Sequence, residues 1–108
     1  MRAVELLQYG LKPGTGRDFH KIMVEKSAPL HREAGIDIIA FGNSAHDVDA
    51  YYLIRSFDNM AHMEASQAAF YLSDEWKRGP REAIIERIQT CVKSVLILSE
   101  TAINALRN

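Results

Sequence analysis

The chain has 108 residues, 47% of them apolar and 25% charged, with 13 basic against 14 acidic side chains and a net charge of −1. Those proportions describe one ordinary globular domain and give no electrostatic footprint for a nucleic-acid backbone or an anionic membrane. The apolar runs, of which Val95 to Leu98 is among the longest, fall far short of the roughly 20 residues of a spanning helix. Glu5 interrupts the apolar segment behind Arg2 that a signal peptide would need, so the expectation is a cytoplasmic protein. The single cysteine, Cys91, excludes an intrachain disulfide and a multi-thiolate metal site, and its apolar surroundings predict a buried thiol.

Val4 to Leu11 is rich in strand formers and is stopped by the turn residues Lys12 to Gly16, which predicts strand 1. From Arg17, the positions Phe19, Ile22, Met23, Lys26 through its methylenes, and Leu30 follow helical spacing up to Gly35. Pro29 predicts a kink or restart within that helix. Ile36 to Gly42 reads as strand 2, Asn43 to Asp49 as a polar connection, and Ala50 to Phe57 as strand 3. Asp58 is the expected N-cap of a helix carrying Met60, Met63, Gln67 and Phe70. Ser73 is expected to cap a short turn through Trp76, and Pro80 to open a helix using Ile84, Ile85 and Ile88. Cys91 to Leu98 is strand 4, and a short terminal helix follows Ser99.

The order β-α-β-β-α-β predicts an α+β, ferredoxin-like sandwich: a four-stranded antiparallel sheet in the order 4-1-3-2 with helices on one face. The other face should then be polar in a monomer. It is not. On strand 1, Val4 and Leu6 alternate with Leu7, Tyr9 and Leu11; on strand 3, Tyr52 and Ile54 alternate with Tyr51, Leu53 and Phe57. An uncovered apolar sheet is an aggregation hazard, so a homodimer packed sheet to sheet is expected.

The residues in these elements resemble those of NIPSNAP-type proteins, within the dimeric α+β barrel superfamily. Val4-Glu5-Leu6 through Tyr9-Gly10-Leu11-Lys12-Pro13-Gly14 is similar to an opening "YELRxYxLKPG". Ala28-Pro29-Leu30 with Gly35-Ile36, Phe57 through His62, and Ser73-Asp74-Glu75-Trp76 resemble the helix-end, "ydSlahr" and "dpeW" stretches of that family. The likeness covers residues 4 to 78. Leu7 and Met63 stand where the family often has arginine, which puts any anion-binding role at those positions in doubt. The resemblance implies a dimeric barrel with a small pocket between sheet and helices in each protomer. It leaves the activity open, because the superfamily holds cofactor-free monooxygenases, haem-degrading enzymes, isomerases and non-catalytic binding domains.

Several groups invite a chemical reading. Pro13 to Phe19 resembles a glycine-rich phosphate loop, but Phe19 occupies the place of its third glycine, so the turn reading is preferred. Asn43, His46, Asp47 and Asp49 have metal-ligand chemistry, yet a hairpin selects the same residues, and no metal or cofactor is expected. Glu5 and Arg55 are expected to pair on the dimer face, with Lys93 joining them, either as a structural ion pair or as a polar site at the two-fold axis. His20, His31 and His62 each read as a half-exposed border histidine or as a general base or haem ligand. Tyr9, Phe19, Met63 and Phe70 are candidate pocket-lining residues, and His62, Tyr51 and Trp76 are the catalytic candidates of an enzyme. The functional expectation is a NIPSNAP-like homodimer that binds a small apolar or aromatic molecule. The alternatives are a cofactor-free monooxygenase or isomerase, and a non-catalytic interaction module.

Overall fold

A computed structural model describes residues 1–107. Strands β1 (Arg2–Leu11), β2 (Asp37–Ser44), β3 (Asp47–Phe57) and β4 (Ile88–Leu98) form one antiparallel sheet in the order β2-β3-β1-β4, as the βαββαβ pattern predicts. Helices α1 (Gly16–Ile22), α2 (Ala28–Glu33), α3 (Met60–Leu72), α4 (Asp74–Arg78) and α5 (Arg81–Ile85) belong to the two crossovers, and α6 (Glu100–Leu106) follows β4.

Local chemistry sets the element boundaries. Pro29 falls at the start of α2, and the five residues before that helix, Met23–Ser27, form a π turn in which the Ala28 amide donates to the Met23 carbonyl five residues back. The wider turn lies where the proline ring would break a regular ladder, so the helix is rephased and restarted. Gly35, at φ +79°, ends α2 in a Schellman arrangement, its own amide donating to Arg32 O and that of Ile36 to His31 O. Asn59, one residue beyond the expected Asp58, caps α3 by accepting from the His62 amide at 2.8 Å. Ser73 Oγ accepts from the Trp76 amide and Ser99 Oγ from the Ala102 amide, opening α4 and α6 as expected.

Each strand extends beyond one of its expected limits. The polar connection between β2 and β3 shrinks to the turn Ala45–His46, because its flanking residues pair across the hairpin. Ile88, expected in a helix, opens β4 opposite Leu11, where the Arg87 carbonyl accepts from Lys12 N at 2.8 Å and draws the chain alongside β1.

The main core lies between sheet and helices: Leu7, Leu11, Leu53 and Phe57 from the strands meet Phe19, Met23, Met63, Phe70 and Trp76. A smaller cluster on the opposite face joins Val4, Ile39 and Ala40 to Ile103 of α6. That helix is clamped by Arg107, whose guanidinium donates to both oxygens of Asp37 at 2.9 and 2.8 Å. The second face is therefore partly covered by the chain's own terminal helix. Its remainder carries the exposed Val92 and Leu96 and the half-buried Leu6, Tyr52 and Ile54.

Two expectations of burial are corrected. Cys91 is exposed, because β4 is an edge strand that the helices do not roof over. Glu5 and Arg55 are not on the face available to a partner; they lie beneath α2 and α3, each 1% exposed. Residues 5, 7, 9 and 11 share one side of β1, and Leu7 and Leu11 on that side are what the helix stripes pack against, so the charges are carried inward with them.

Candidate functional site

Glu5 and Arg55 face each other in register on the central strands. Arg55 donates from Nε to Glu5 Oε1 at 2.9 Å and again from Nη2. Gln67 of α3 donates to Glu5 Oε2 at 2.6 Å, and Lys93 Nζ approaches the same oxygen at 3.3 Å, so lysine joins the pair as expected. Burial would raise the Glu5 carboxyl, but Arg55, Gln67 and Lys93 outweigh it and hold the group below its ordinary value.

Arg55 Nη1 has two further partners, His31 Nε2 at 3.0 Å and the Tyr71 hydroxyl at 2.9 Å. His31 Nδ1 lies 2.7 Å from the Ser27 carbonyl, which can only accept. The tautomer follows: Nδ1 carries the proton, and Nε2 presents its lone pair to Arg55. His31 is 2% exposed rather than a border histidine, and burial, reinforced by Arg55, lowers its pKa to about 4 despite the Ser27 bond. It is neutral at pH 7.

The network reaches a cleft at Tyr71. This cleft of about 420 Å³ lies where β1 and β4 meet α4 and α5, and is lined by Tyr9, Tyr71, Trp76, Ile84, Ile85 and Ile88, with Lys77 and Arg81. Burial, with Tyr71 adding to it, pushes the Tyr9 hydroxyl well above its ordinary value, so it remains a protonated donor. Trp76 packs against Phe70 and Tyr71 at ring-centroid distances of 5.4 and 5.3 Å, which fixes the aromatic wall.

Other candidates have different neighbours. Tyr51 is buried beneath α1, where its hydroxyl meets His20 Nδ1 and its ring packs edge-on against Phe19 at 4.8 Å. Burial, then the nearby Tyr52, pushes that hydroxyl well above its ordinary value. His62 is exposed at the start of α3, its Nδ1 accepting from the Asp58 amide and its ring against Phe57. The structure thus brings Trp76 to the cleft and leaves His62 and Tyr51 elsewhere. Phe19 and Met63 are core residues, and Phe70 lines a separate groove of about 340 Å³ between α2 and α3. Tyr9 lines the cleft.

The glycine loop is accounted for internally. Asp49 accepts from the amides of Gly14 and Gly16 at 3.0 and 2.8 Å, so a carboxylate of the chain occupies the donors a phosphate would need. Asn43 donates to the Gly16 and Val48 carbonyls, and His46 Nδ1 pairs with the Ser44 hydroxyl. Among the described residues, no group of three His, Cys, Asp or Glu side chains is arranged to hold a metal ion. Cys91 is no activated nucleophile: burial and then Glu5 raise its pKa.

Sequence reasoning did not single out Tyr71, Lys77 or Arg81. A usable signal was present, since Lys77 and Arg81 lie four residues apart around Gly79-Pro80, and Tyr71 adjoins the Phe70 of the apolar stripe.

The architecture defines a ferredoxin-like α+β protein with a cleft at the edge of its helix layer. Its fold is that of NIPSNAP proteins. An uncharacterised NIPSNAP-like domain protein from Burkholderia xenovorans superposes with a TM-score of 0.82 at 15% identity, covering 92% of this chain and 86% of that one. A NIPSNAP family protein from Agrobacterium tumefaciens also gives 0.82, at 10% identity, covering 92% and 87%. A protein from Nitrosomonas europaea that is named for antibiotic biosynthesis monooxygenase activity gives 0.68 at 13% identity, covering 89% and 97%. No protein-family model and no curated protein sequence matches the chain. No helix among the described residues is long and apolar enough to cross a membrane.

Proposed function

We propose that the protein is a NIPSNAP-like homodimer that binds a small apolar or aromatic molecule in the cleft bounded by Tyr9, Tyr71, Trp76, Ile84, Ile85 and Ile88. The observation carrying this reading is the cleft itself, whose roughly 420 Å³ and aromatic-aliphatic walls match a small-molecule site. The dimer reading draws support from Val92 and Leu96, 59% and 40% exposed on the open part of the outer sheet face. A cytoplasmic setting suits a chain whose one thiol is free and exposed.

A thermal-shift screen against quinones and polycyclic phenols tests the reading, with fluorescence of Trp76, the sole tryptophan, as a second signal. Ligands are expected to raise the melting temperature of the native protein and to lose that effect in Ile85→Trp, which fills the cleft from an exposed position. Absence of any shift and of any change in Trp76 emission would overturn it.

One observation favours a cofactor-free monooxygenase or isomerase as a second reading. The hydrogen bonds from Glu5 through Arg55 end on Tyr71, a residue of the cleft wall, so a bound substrate would meet a hydroxyl polarised by a buried guanidinium. Arg55, Tyr71 and Trp76 are the groups to substitute, with His62 and Tyr51 as the comparison set.

A further inference from the structure

We infer that the ligand of this cleft is an anion, a small aromatic carboxylate or a molecule of the same chemistry, whose charged end is received by Lys77, Arg81 and Tyr71; this rests on the cleft being a binding site. The lining holds two cations and no carboxylate. Among the described residues, neither Lys77 nor Arg81 has a carboxylate within 4.0 Å, so their charges are not spent on the protein itself. Local backbone chemistry brings them together. Lys77 lies in the last turn of α4, Arg81 opens α5, and the chain reverses tightly between them at Gly79, where an added Cβ would stand 2.4 Å from the Glu75 carbonyl.

The third recognition group has a fixed polarity. Tyr71 accepts from Arg55 Nη1, and its own hydrogen has no acceptor among the described residues. It is therefore a donor, strengthened by a buried guanidinium behind it, and donors on a cationic rim select a negative group. Apolar Ile84, Ile85 and Ile88, with Trp76 and Tyr9, receive the remainder of the molecule.

Background charge does not account for the arrangement. The chain's net charge is −1, and the neighbouring groove between α2 and α3 carries Glu33 and Glu75 with no cation in its lining. Two adjoining depressions on one small domain thus have opposite charge, and only the one at Trp76 suits an anion.

Calorimetric titration of the native protein with 2-naphthoate, 2-naphthamide and 2-naphthylmethylammonium tests the inference. The carboxylate is expected to bind about fivefold to tenfold more tightly than the amide, with the ammonium weakest. Raising salt from about 0.05 M to about 0.5 M should shrink that advantage. The double variant Lys77→Gln/Arg81→Gln, at two exposed positions, should lose it, so that carboxylate and amide bind alike. Equal affinity for carboxylate and amide, or tightest binding of the ammonium, overturns the anion and leaves the apolar cleft standing. An advantage that persists in the double variant overturns the roles of Lys77 and Arg81. No binding of any probe at ~1 mM, about the weakest affinity of interest, overturns the cleft as a site and the inference with it.

Discussion

On the side of the sheet roofed by helices, charge is inside: Glu5, Arg55 and His31 are buried and share one hydrogen-bonded network. On the other side the centre is apolar and charge is confined to a margin, where Arg107 clamps Asp37 and Arg2 lies within 4.0 Å of Asp37, Asp58 and Glu100. The difference follows from what each face packs against. Helices α2 and α3 bring His31, Gln67 and Tyr71 down onto the strands and so supply partners for buried charge. The outer face meets only α6, which contributes Ile103 and leaves the region around Leu96 open. A buried charge is tolerated where the covering element carries its complement, and an apolar surface is left where nothing has yet covered it.

The largest effect expected from breaking this contrast is at Arg55. Arg55→Ala should cost about 3 to 5 kcal/mol, because it leaves the Glu5 carboxylate buried with a diminished set of partners. Replacing both together, as Glu5→Leu/Arg55→Met, should recover most of the loss in urea melts. A single variant within about 1 kcal/mol of the native protein would show that the network is not the stabilising unit it resembles.

Next comes acid. Burial holds the His31 pKa down at about 4 in the folded chain against an ordinary value of 6.5 in the unfolded one, so the unfolded chain takes up the proton first. Stability should fall by about 3 kcal/mol as pH drops from about 6.5 to about 4, and level off below that for this group. Melts of native protein and His31→Gln across that range check the assignment; an equal slope in the variant would assign it to other groups. Glu5, whose pKa is lowered, adds its own loss only at lower pH, beneath its ordinary value of 4.5.

Smaller effects belong to the outer face. Ile103→Val removes one methyl from a fully buried contact and should cost about 1 kcal/mol, read from the melting curve. Leu96→Asp should change the stability of a single chain by no more than about 0.5 kcal/mol, since the side chain is exposed there. Its expected signature is in mass: light scattering should return twice 12.2 kDa for the native protein and 12.2 kDa for the variant. A native species at 12.2 kDa would remove the homodimer.

Sheet topology was legible because strand formers, glycines and capping serines each specify local geometry independently of the rest of the chain. Ser73 caps the turn at Trp76 as its sequence context predicts, a helix follows Ser99, and the NIPSNAP-like motifs anticipate the fold. The placement of Glu5 and Arg55 was not legible. Both sides of β1 and β3 are apolar, so alternation could not say which side the helices would take. Likewise Cys91 sits among apolar neighbours but on an edge strand, and exposure there is decided by the reach of helices many residues away. The site was half legible. Tyr9 and Trp76 were visible as aromatics in strand and capped turn, whereas Lys77 and Arg81 acquire meaning only once Gly79 folds their helices against one cavity.

The π turn at Met23–Ser27 sets a constraint on the length of this crossover. Each residue of an α-helix turns about 100°, so deleting one residue from that turn would swing α2 by about that angle about its axis. His31 would leave Arg55, and Ser27 could no longer fix the imidazole tautomer. Angular phase along one short helix therefore connects a single extra residue to the state of a charge buried beneath it, and chains that share this fold should tolerate length changes in the β2–β3 turn more readily than here.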